Sequence, residues 1–177
     1  MMTYIALLRG INVGGHKKVP MAELRELLTN SGLQHVKTYI QSGNIIFQSS
    51  VNDTNFLTNQ IQSLILNQFG FEVPVIIKSQ QELRTIYNNC PFSEDRKVES
   101  YFVMLSKAPD QKLVDVASKK KYPNDDYVIL NDCIYLHCEK GYGRSKFNLN
   151  FFEKKLNVNA TARNYKTIVK LLSLSDI

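Results

Sequence analysis

Residues 35–49 have the sequence HVKTYIQSGNIIFQS, in which two apolar runs flank Ser42 and Gly43. Because glycine accepts the positive φ of a tight turn, this pattern predicts a β-hairpin with its tip at these two residues. The elements on either side of the hairpin then decide the fold class.

The elements that flank the hairpin alternate between strands and helices. A short apolar run near the N-terminus is typical of a strand buried on both faces, and Pro20 opens a helix with apolar residues at helical spacing. Beyond the hairpin, Asp53 or Thr54 is the expected N-cap of a second helix, and a strand follows at 71–79. The order β-α-β-β-α-β predicts a ferredoxin-like half in residues 1–79.

The same order begins again after a connecting helix at about residues 79–89 and a loop at 88–97. Pro109 opens the next helix, and Ser145 is the expected N-cap of the one after it. The repetition predicts an α+β protein of two tandem ferredoxin-like halves with antiparallel sheets and a C-terminal helix, the second half being 80–177. In this half we expect strands at 99–107, 126–130, 133–138 and 158–162, and helices at 108–121, 145–157 and 164–174.

The composition is typical of a globular protein, with 177 residues of which 44% are hydrophobic and 21% charged. There is no run of about 18 apolar residues and no signal-peptide pattern at the N-terminus, so we expect no membrane association and a cytoplasmic location. Cys90, Cys133 and Cys138 are odd in number and form no C-x-x-C pair, which argues against a disulfide framework. The oligomeric state is left open.

The net charge of +6 lies entirely in the C-terminal segment. Residues 1–139 hold 14 Lys and Arg against 14 Asp and Glu, whereas residues 140–177 hold 8 Lys and Arg against only Glu153 and Asp176. A local basic field favours anionic ligands such as phosphates or nucleic acid, although many basic tails are only solvated surface.

Residues 9–20, RGINVGGHKKVP, form the first of four candidate binding segments. The spacing of Gly10 and Gly15 is that of a phosphate-binding loop, but His16 and Lys17 stand where a Walker A motif needs Lys followed by Ser or Thr. The hydroxyl that would bind Mg²⁺ is therefore missing, which disfavours ATPase or kinase chemistry of this type.

The remaining properties of this loop still suit an anion. Its glycines expose backbone N–H groups, its basic side chains supply charge, and Val19, the expected N-cap of the next helix, has no side-chain acceptor for the first helical amides. The alternative is that the glycines only allow the loop to turn and that the lysines are solvated. The candidate ligand-binding residues here are Arg9, Gly10, Asn12, Gly14, Gly15, Lys17 and Lys18.

The other three segments combine polar or basic residues with turns and helix starts. The hairpin tip offers hydrogen-bonding side chains, although turn chemistry alone explains them. A second glycine loop at 139–147 leads into a helix, and basic residues precede the last helix, where they oppose its dipole and indicate an anion or a carboxylate elsewhere in the chain. The candidates are Gln41, Ser42 and Asn44 at the tip, Arg144 in the glycine loop, and Arg163, Asn164 and Lys166 at the helix start.

These segments carry a resemblance to a known family. The motifs LLRGINVGG, VPMAELR, YIQSGNIIF and RNYKTIVKL occur in this order between residues 7 and 171, and together they resemble the bacterial family called domain of unknown function 1697. The resemblance implies a soluble bacterial protein with two ferredoxin-like parts, and it implies no reaction. Members often carry Trp at the position of Tyr165, so whatever the aromatic residue does at this position, it does not need an indole N–H in this protein.

Catalytic, metal-binding and RNA-recognition patterns are weak in this sequence. The three histidines are too scattered for a metal site, and neither a metal nor a cofactor is expected. A cysteine nucleophile needs a base that the sequence does not identify, and Asp125 and Asp126 are typical turn residues without a second carboxylate at catalytic spacing. Neither GNIIFQS nor DCIYLHC has the aromatic pattern of an RNA-recognition strand.

The sequence leads to three hypotheses about function. The leading one is binding of a phosphate-bearing ligand, a nucleic acid or a nucleotide-like phosphorylated small molecule, through loop 9–18 together with Arg144, Arg163 and Lys166. The alternatives are a small enzyme that acts on an anionic metabolite, with Arg9 or Arg163 as clamp and His16 as acid or base, and a protein-interaction module.

Overall fold

The computed structural model describes residues 1–176, which form an α+β protein with two four-stranded antiparallel sheets and seven α-helices. The predicted α+β class with antiparallel sheets is therefore confirmed. The chain forms two compact units, one made of Met1–Arg84 with the chain from Lys170 onward and the other of Thr85–Val169. The boundaries of independently folding domains stay a prediction. Within residues 1–176 no helix is long and apolar enough to cross a membrane.

The first unit has the predicted order of elements, and its central hairpin is confirmed. The two hairpin strands pair antiparallel with Tyr39 opposite Asn44, so the tip lies between these residues. The elements are β1 (Met2–Leu8), α1 (Met21–Asn30), β2 (Gln34–Tyr39), β3 (Asn44–Ser49), α2 (Thr54–Phe69) and β4 (Val75–Ser79).

The sheet of the first unit has the strand order β2-β3-β1-β4. β1 lies inside the sheet and is buried on both faces from Tyr4 to Leu8, as its uninterrupted apolar run predicts. β4 lies at an edge, where Pro74 is tolerated directly before the strand because an edge position needs no N–H from it. The predicted edge or start position of Pro74 is thus confirmed.

Apolar side chains of both helices cover one face of this sheet. Each helix buries three side chains at a spacing that places them on one side of the helix, and alternate residues of the strands complete the core. The cluster includes Met21, Leu24 and Leu28 of α1, Leu57, Ile61 and Ile65 of α2, and Tyr4, Ala6, Leu8, Ile45, Phe47, Val75 and Ile77 of the strands.

The two helix starts in this unit differ in their caps. Asp53 caps α2, because its carboxylate accepts hydrogen bonds from the N–H groups of Asn55 and Phe56 at 2.9 and 3.1 Å. The expected cap of α1 is wrong: Pro20 and not Val19 is the N-cap, since its ψ of 124° leaves it extended just before the helix. No side chain caps α1, as the sequence predicts.

The second unit repeats this strand order, β6-β7-β5-β8, with all neighbouring strands antiparallel. A short 3-10 helix, Tyr142–Arg144, lies between β7 and α6. The elements are α3 (Gln80–Asn88), which begins in the first unit, α4 (Glu94–Lys97), β5 (Tyr101–Leu105), α5 (Gln111–Ala117), β6 (Asp125–Leu130), β7 (Cys133–Cys138), α6 (Leu149–Leu156), β8 (Ala160–Asn164) and α7 (Tyr165–Ser175), which ends in the first unit.

An aromatic cluster fills the core on one face of the second sheet. Phe152 is fully buried, and its ring centroid lies 4.7 Å from Phe147, 5.0 Å from Tyr127 and 5.1 Å from Phe151. Tyr122 lies at the edge of this cluster, 5.9 Å from Phe147. The cluster fixes the positions of α6 and of the segment before β6.

Four local expectations for the second unit are wrong. Asp125 and Asp126 lie in β6 and not in a turn. The predicted loop at 88–97 contains the short helix α4. α5 is capped by Asp110 rather than opened by Pro109. α6 is capped by Asn148, because Ser145 is extended and its hydroxyl donates to Asp125 at 2.7 Å.

Candidate functional site

Loop 9–20 is folded around a tight turn. Val13 and His16 form an isolated bridge, with the N–H of His16 donating to the carbonyl of Val13 at 2.9 Å. Gly14 and Gly15 lie between them with φ values of 57° and 77°, a conformation that glycine adopts without steric cost. The two glycines therefore form the exposed tip of this turn.

Asn12 connects this loop to the hairpin tip. Its side-chain N–H₂ donates to the carbonyls of Val19 at 3.0 Å and Gln41 at 2.8 Å, and its side-chain oxygen accepts from the N–H of Val19 at 2.8 Å. Its φ of 55° lies in the left-handed region, which asparagine tolerates better than most residues. The side chain of this candidate is thus occupied by contacts within the protein.

We expect Asn12→Ala to destabilise the first unit by about 2–3 kcal/mol, because three hydrogen bonds are lost and alanine is strained at this φ. Urea unfolding measures the change in the free energy of unfolding. Asn52→Ala is the matched control, since Asn52 is exposed, and its effect is expected to stay below about 0.5 kcal/mol. Equal effects of the two substitutions would show that Asn12 does not hold the loop.

The basic side chains of loop 9–20 differ in their surroundings. Lys17 donates from Nζ to the carbonyl of Glu72 at 2.7 Å and lies 5.9 Å from the ring centroid of Phe71. Lys18 and His16 are exposed. The backbone N–H of Arg9 donates to the carbonyl of Pro74 at 3.0 Å. Gly10 has a φ of 74°, in the left-handed region. Lys17 is therefore engaged with the loop before β4, whereas Lys18 extends toward solvent.

The hairpin tip is held together by Asn44. This residue is fully buried, and its side-chain N–H₂ donates to the carbonyl of Tyr39 at 3.0 Å and to the hydroxyl of Ser42 at 3.1 Å. The carbonyl of Gln41 accepts from Asn12. The polar residues of the tip thus contact one another and loop 9–20, and all candidates from Arg9 to Asn44 belong to the first unit.

The candidates near the last helix belong to the second unit and differ in exposure. Arg163 lies in β8 and is only 8% exposed, and it donates from Nη1 to the hydroxyl of Thr161 and the carbonyl of Ala162, both at 2.8 Å. Burial lowers the pKa of Arg163 to about 10. Asn164 accepts from the N–H of Thr167 at 2.9 Å and so caps the start of α7, whereas Lys166 is exposed.

Tyr165 begins α7 and pairs with Tyr87. Their hydroxyl oxygens are 3.2 Å apart, and their ring centroids are 5.9 Å apart. This hydrogen bond, with a smaller effect of burial, raises the pKa of the Tyr165 hydroxyl. Lys97 lies over the other ring of the pair, with Nζ 3.9 Å from the centroid of Tyr87. The phenol is therefore a packing and hydrogen-bonding group at neutral pH.

A pocket of about 340 Å³ in the second unit brings together three lysines and two aromatic rings. Its lining contains no carboxylate. In residues 1–176 none of its lysines forms an ion pair, so their ammonium groups are available to a ligand. We call this site the lysine pocket, and it is lined by Lys120, Lys121, Tyr122, Pro123, Lys146, Asn148 and Phe151.

The aromatic walls of the lysine pocket are anchored in the core. Phe151 packs perpendicular to Phe152, with an angle of 87° between the rings, and the hydroxyl of Tyr122 accepts from the N–H of Asn148 at 3.4 Å. Lys120 approaches both walls, with Nζ 5.8 Å from the ring centroids of Tyr122 and Phe151. The pocket thus combines packed aromatic surfaces with exposed positive charges.

A second and larger cavity, of about 610 Å³, has the opposite charge. Five carboxylates line it, together with Arg96 and His137, and Pro123 lines both cavities. Arg96 forms an ion pair with Asp126 and lies 3.3 Å from Nδ1 of His137, whose Nε2 lies 3.6 Å from Glu99. This acidic cavity repels phosphates, because its carboxylates outnumber its cationic side chains.

Cys90 and Cys138 have little nucleophilic character. Burial raises the pKa of Cys138 to about 11 and also raises the pKa of Cys90, so both thiols are protonated at neutral pH. In the described part of the chain, no group of three or more His, Cys, Asp and Glu side chains could hold a metal ion.

The sequence interpretation did not identify the lysine pocket. Its lysines come from two segments, 120–121 and 146, and the first of these lies outside the basic C-terminal segment. The run Lys119-Lys120-Lys121 directly before Tyr122 was the available signal, because basic residues beside an aromatic residue are typical of phosphate and base contacts.

Comparison with known proteins agrees with the sequence motifs. Residues 1–135 match the family described as "Protein of unknown function (DUF1697)". A conserved bacterial protein from Streptococcus pneumoniae has a similar structure, with a TM-score of 0.79, 28% identity and coverage of 99% of each chain. Among curated proteins, none matches significantly. The chain therefore belongs to the DUF1697 family.

Proposed function

We propose that this protein binds a phosphate-bearing ligand, a nucleic acid or a nucleotide-like molecule, in the lysine pocket of the second unit. The observation that supports it is a pocket with three lysines, two aromatic walls and no lining carboxylate. Phosphate contacts need positive charge and hydrogen-bond donors, and lysine ammonium groups supply both. Arg144, exposed and two positions before Lys146, adds positive charge to the segment that leads into α6.

The charge of the surrounding segments supports the same proposal. Lys146 belongs to the C-terminal segment that holds the net positive charge, and Lys119 extends the basic run at the other side of the pocket. The acidic cavity beyond Pro123 limits an anion to the basic side of this residue. A cytoplasmic location, where nucleotides and nucleic acids occur, belongs to the same proposal.

We expect the double variant Lys120→Glu and Lys121→Glu to weaken binding of a fluorescein-labelled single-stranded DNA of about 12 nucleotides by tenfold or more at about 50 mM salt. Fluorescence anisotropy measures the dissociation constant. The matched control is Lys107→Glu with Lys112→Glu, which makes the same charge change at two exposed lysines of this unit that do not line the pocket. An equal loss in the control would contradict the proposal, as would a wild-type protein that binds neither this DNA nor an inorganic polyphosphate.

We further propose a ferredoxin-like topology for both units. Each sheet has its third strand between the second and the first, and its fourth strand next to the first, which supports this assignment.

A further inference from the structure

We propose that the ligand of the lysine pocket is a single-stranded nucleic acid, whose bases stack on Phe151 and Tyr122 while its phosphates contact the lysines. This inference rests on the proposed function, since it names the class of phosphate-bearing ligand that the same pocket binds.

The aromatic walls supply the first argument. Free inorganic phosphate and polyphosphates need only charge, so they gain nothing from a half-buried phenylalanine and a half-buried tyrosine in the pocket wall. A nucleobase gains stacking energy from such rings whatever its sequence. Because Phe151 packs against Phe152 and Tyr122 against Phe147, the walls are already ordered. A base that displaces the Lys120 ammonium from these rings therefore stacks without a cost for ordering the rings themselves.

The basic surface continues beyond the pocket, which supplies the second argument. Lys155 does not line the pocket, yet its Nζ lies 6.0 Å from the ring centroid of Phe151, and Lys154 beside it is exposed. Lys120 approaches the same ring at 5.8 Å. Two lysines that contact one ring, the second outside the pocket, suit successive phosphates of a chain better than the compact charge of a mononucleotide.

The acidic cavity limits the path that a nucleic acid can take over this surface. Pro123 separates the lysine pocket from a wall of carboxylates, so a polyanion cannot continue on that side. Its path therefore runs from Lys120 and Lys121 over Phe151 to Lys155 on α6. Stacking on these rings requires unpaired bases, which distinguishes a single strand from a duplex.

The test compares three probes by competition with the labelled single strand: an unlabelled single-stranded DNA, the same sequence as a duplex, and an inorganic polyphosphate of similar charge. We expect the single strand to bind about tenfold more tightly than either of the others. We expect Phe151→Leu to remove most of this preference while polyphosphate binding and the salt dependence stay unchanged. Lys155→Gln is expected to reduce the slope of log affinity against log salt by about 0.7.

The outcomes separate the two proposals. If polyphosphate binds as tightly as the single strand, and Lys120→Glu with Lys121→Glu weakens both, the proposed function stands and this inference fails. An equal affinity for the duplex, or a Phe151→Leu protein that keeps its preference, also overturns it. If the wild-type protein binds none of the three probes, both proposals are contradicted. Tyr122→Leu tests the second wall independently, so that a folding defect of Phe151→Leu, detected by urea unfolding, does not leave the inference without a test.

Discussion

Gly43→Ala is expected to destabilise the first unit by about 2–4 kcal/mol, the sum of a strained backbone and a steric clash. Gly43 has a φ of +84°, and a Cβ added there would lie 2.6 Å from the Cβ of Leu8 and 3.0 Å from Cδ1 of Ile11. Leu8 and Ile11 are both buried, and the carbonyl of Gly43 accepts from the N–H of Leu8 at 2.8 Å. The Cβ of Leu8 cannot move without a shift of the β1 backbone, which would open the contact between β1 and the hairpin.

Gly70→Ala is the matched control for this prediction. Gly70 has a φ of +80°, nearly the same value as Gly43, but a Cβ there meets no atom within 4 Å. We therefore expect only the cost of the left-handed backbone, about 1–2 kcal/mol. Urea unfolding of both variants separates the cost of the backbone strain from the cost of the steric clash. Equal losses of stability would show that the clash with Leu8 adds nothing to the cost.

Phe152→Ala is expected to destabilise the second unit by about 3–5 kcal/mol. The side chain is fully buried, and its removal leaves a cavity between the rings of Tyr127, Phe147 and Phe151. Hydrogen exchange reports which unit is affected, because β5 and β7 belong to the second unit and β1 and β3 to the first. We expect the amides of β5 and β7 to lose protection.

Phe56→Ala provides the comparison for this core substitution. Phe56 lies on α2 and is 54% exposed, so its removal is expected to change the free energy of unfolding by less than about 0.5 kcal/mol. A loss of similar size for Phe56→Ala and Phe152→Ala would contradict the assignment of the aromatic cluster as the core of the second unit.

Local signals account for the parts of the fold that the sequence predicts. Gly43 marks the hairpin tip, Asp53 the start of α2, and Asn131-Asp132 the turn between β6 and β7, because each of these residues stabilises its turn or cap through its own backbone or nearest neighbours. Ser145 fails as a helix start because its hydroxyl has a tertiary partner, Asp125, 20 residues away. Such a partner is invisible in a short stretch of sequence.

The candidate site depends even more on tertiary structure. Asn12 looks like a polar loop residue, yet its side chain bonds to backbone groups of Val19 and Gln41. Arg163 looks like an exposed cation before a helix, but pairing of β8 with β5 buries it. Lys120 and Lys146 line one pocket because the contact of Tyr122 with Phe147 brings the segment before α6 close to the segment before β6.

The division of the chain between the two units has a consequence for biosynthesis. Asp176 bonds to Gln80 and Arg84, across sequence separations of 96 and 92 residues. All three residues belong to the first unit, although every residue of the second unit lies between Arg84 and Asp176. On the ribosome, the second unit is therefore synthesised completely before these bonds can form, and the first unit stays incomplete until the residues from Lys170 to Asp176 have been added.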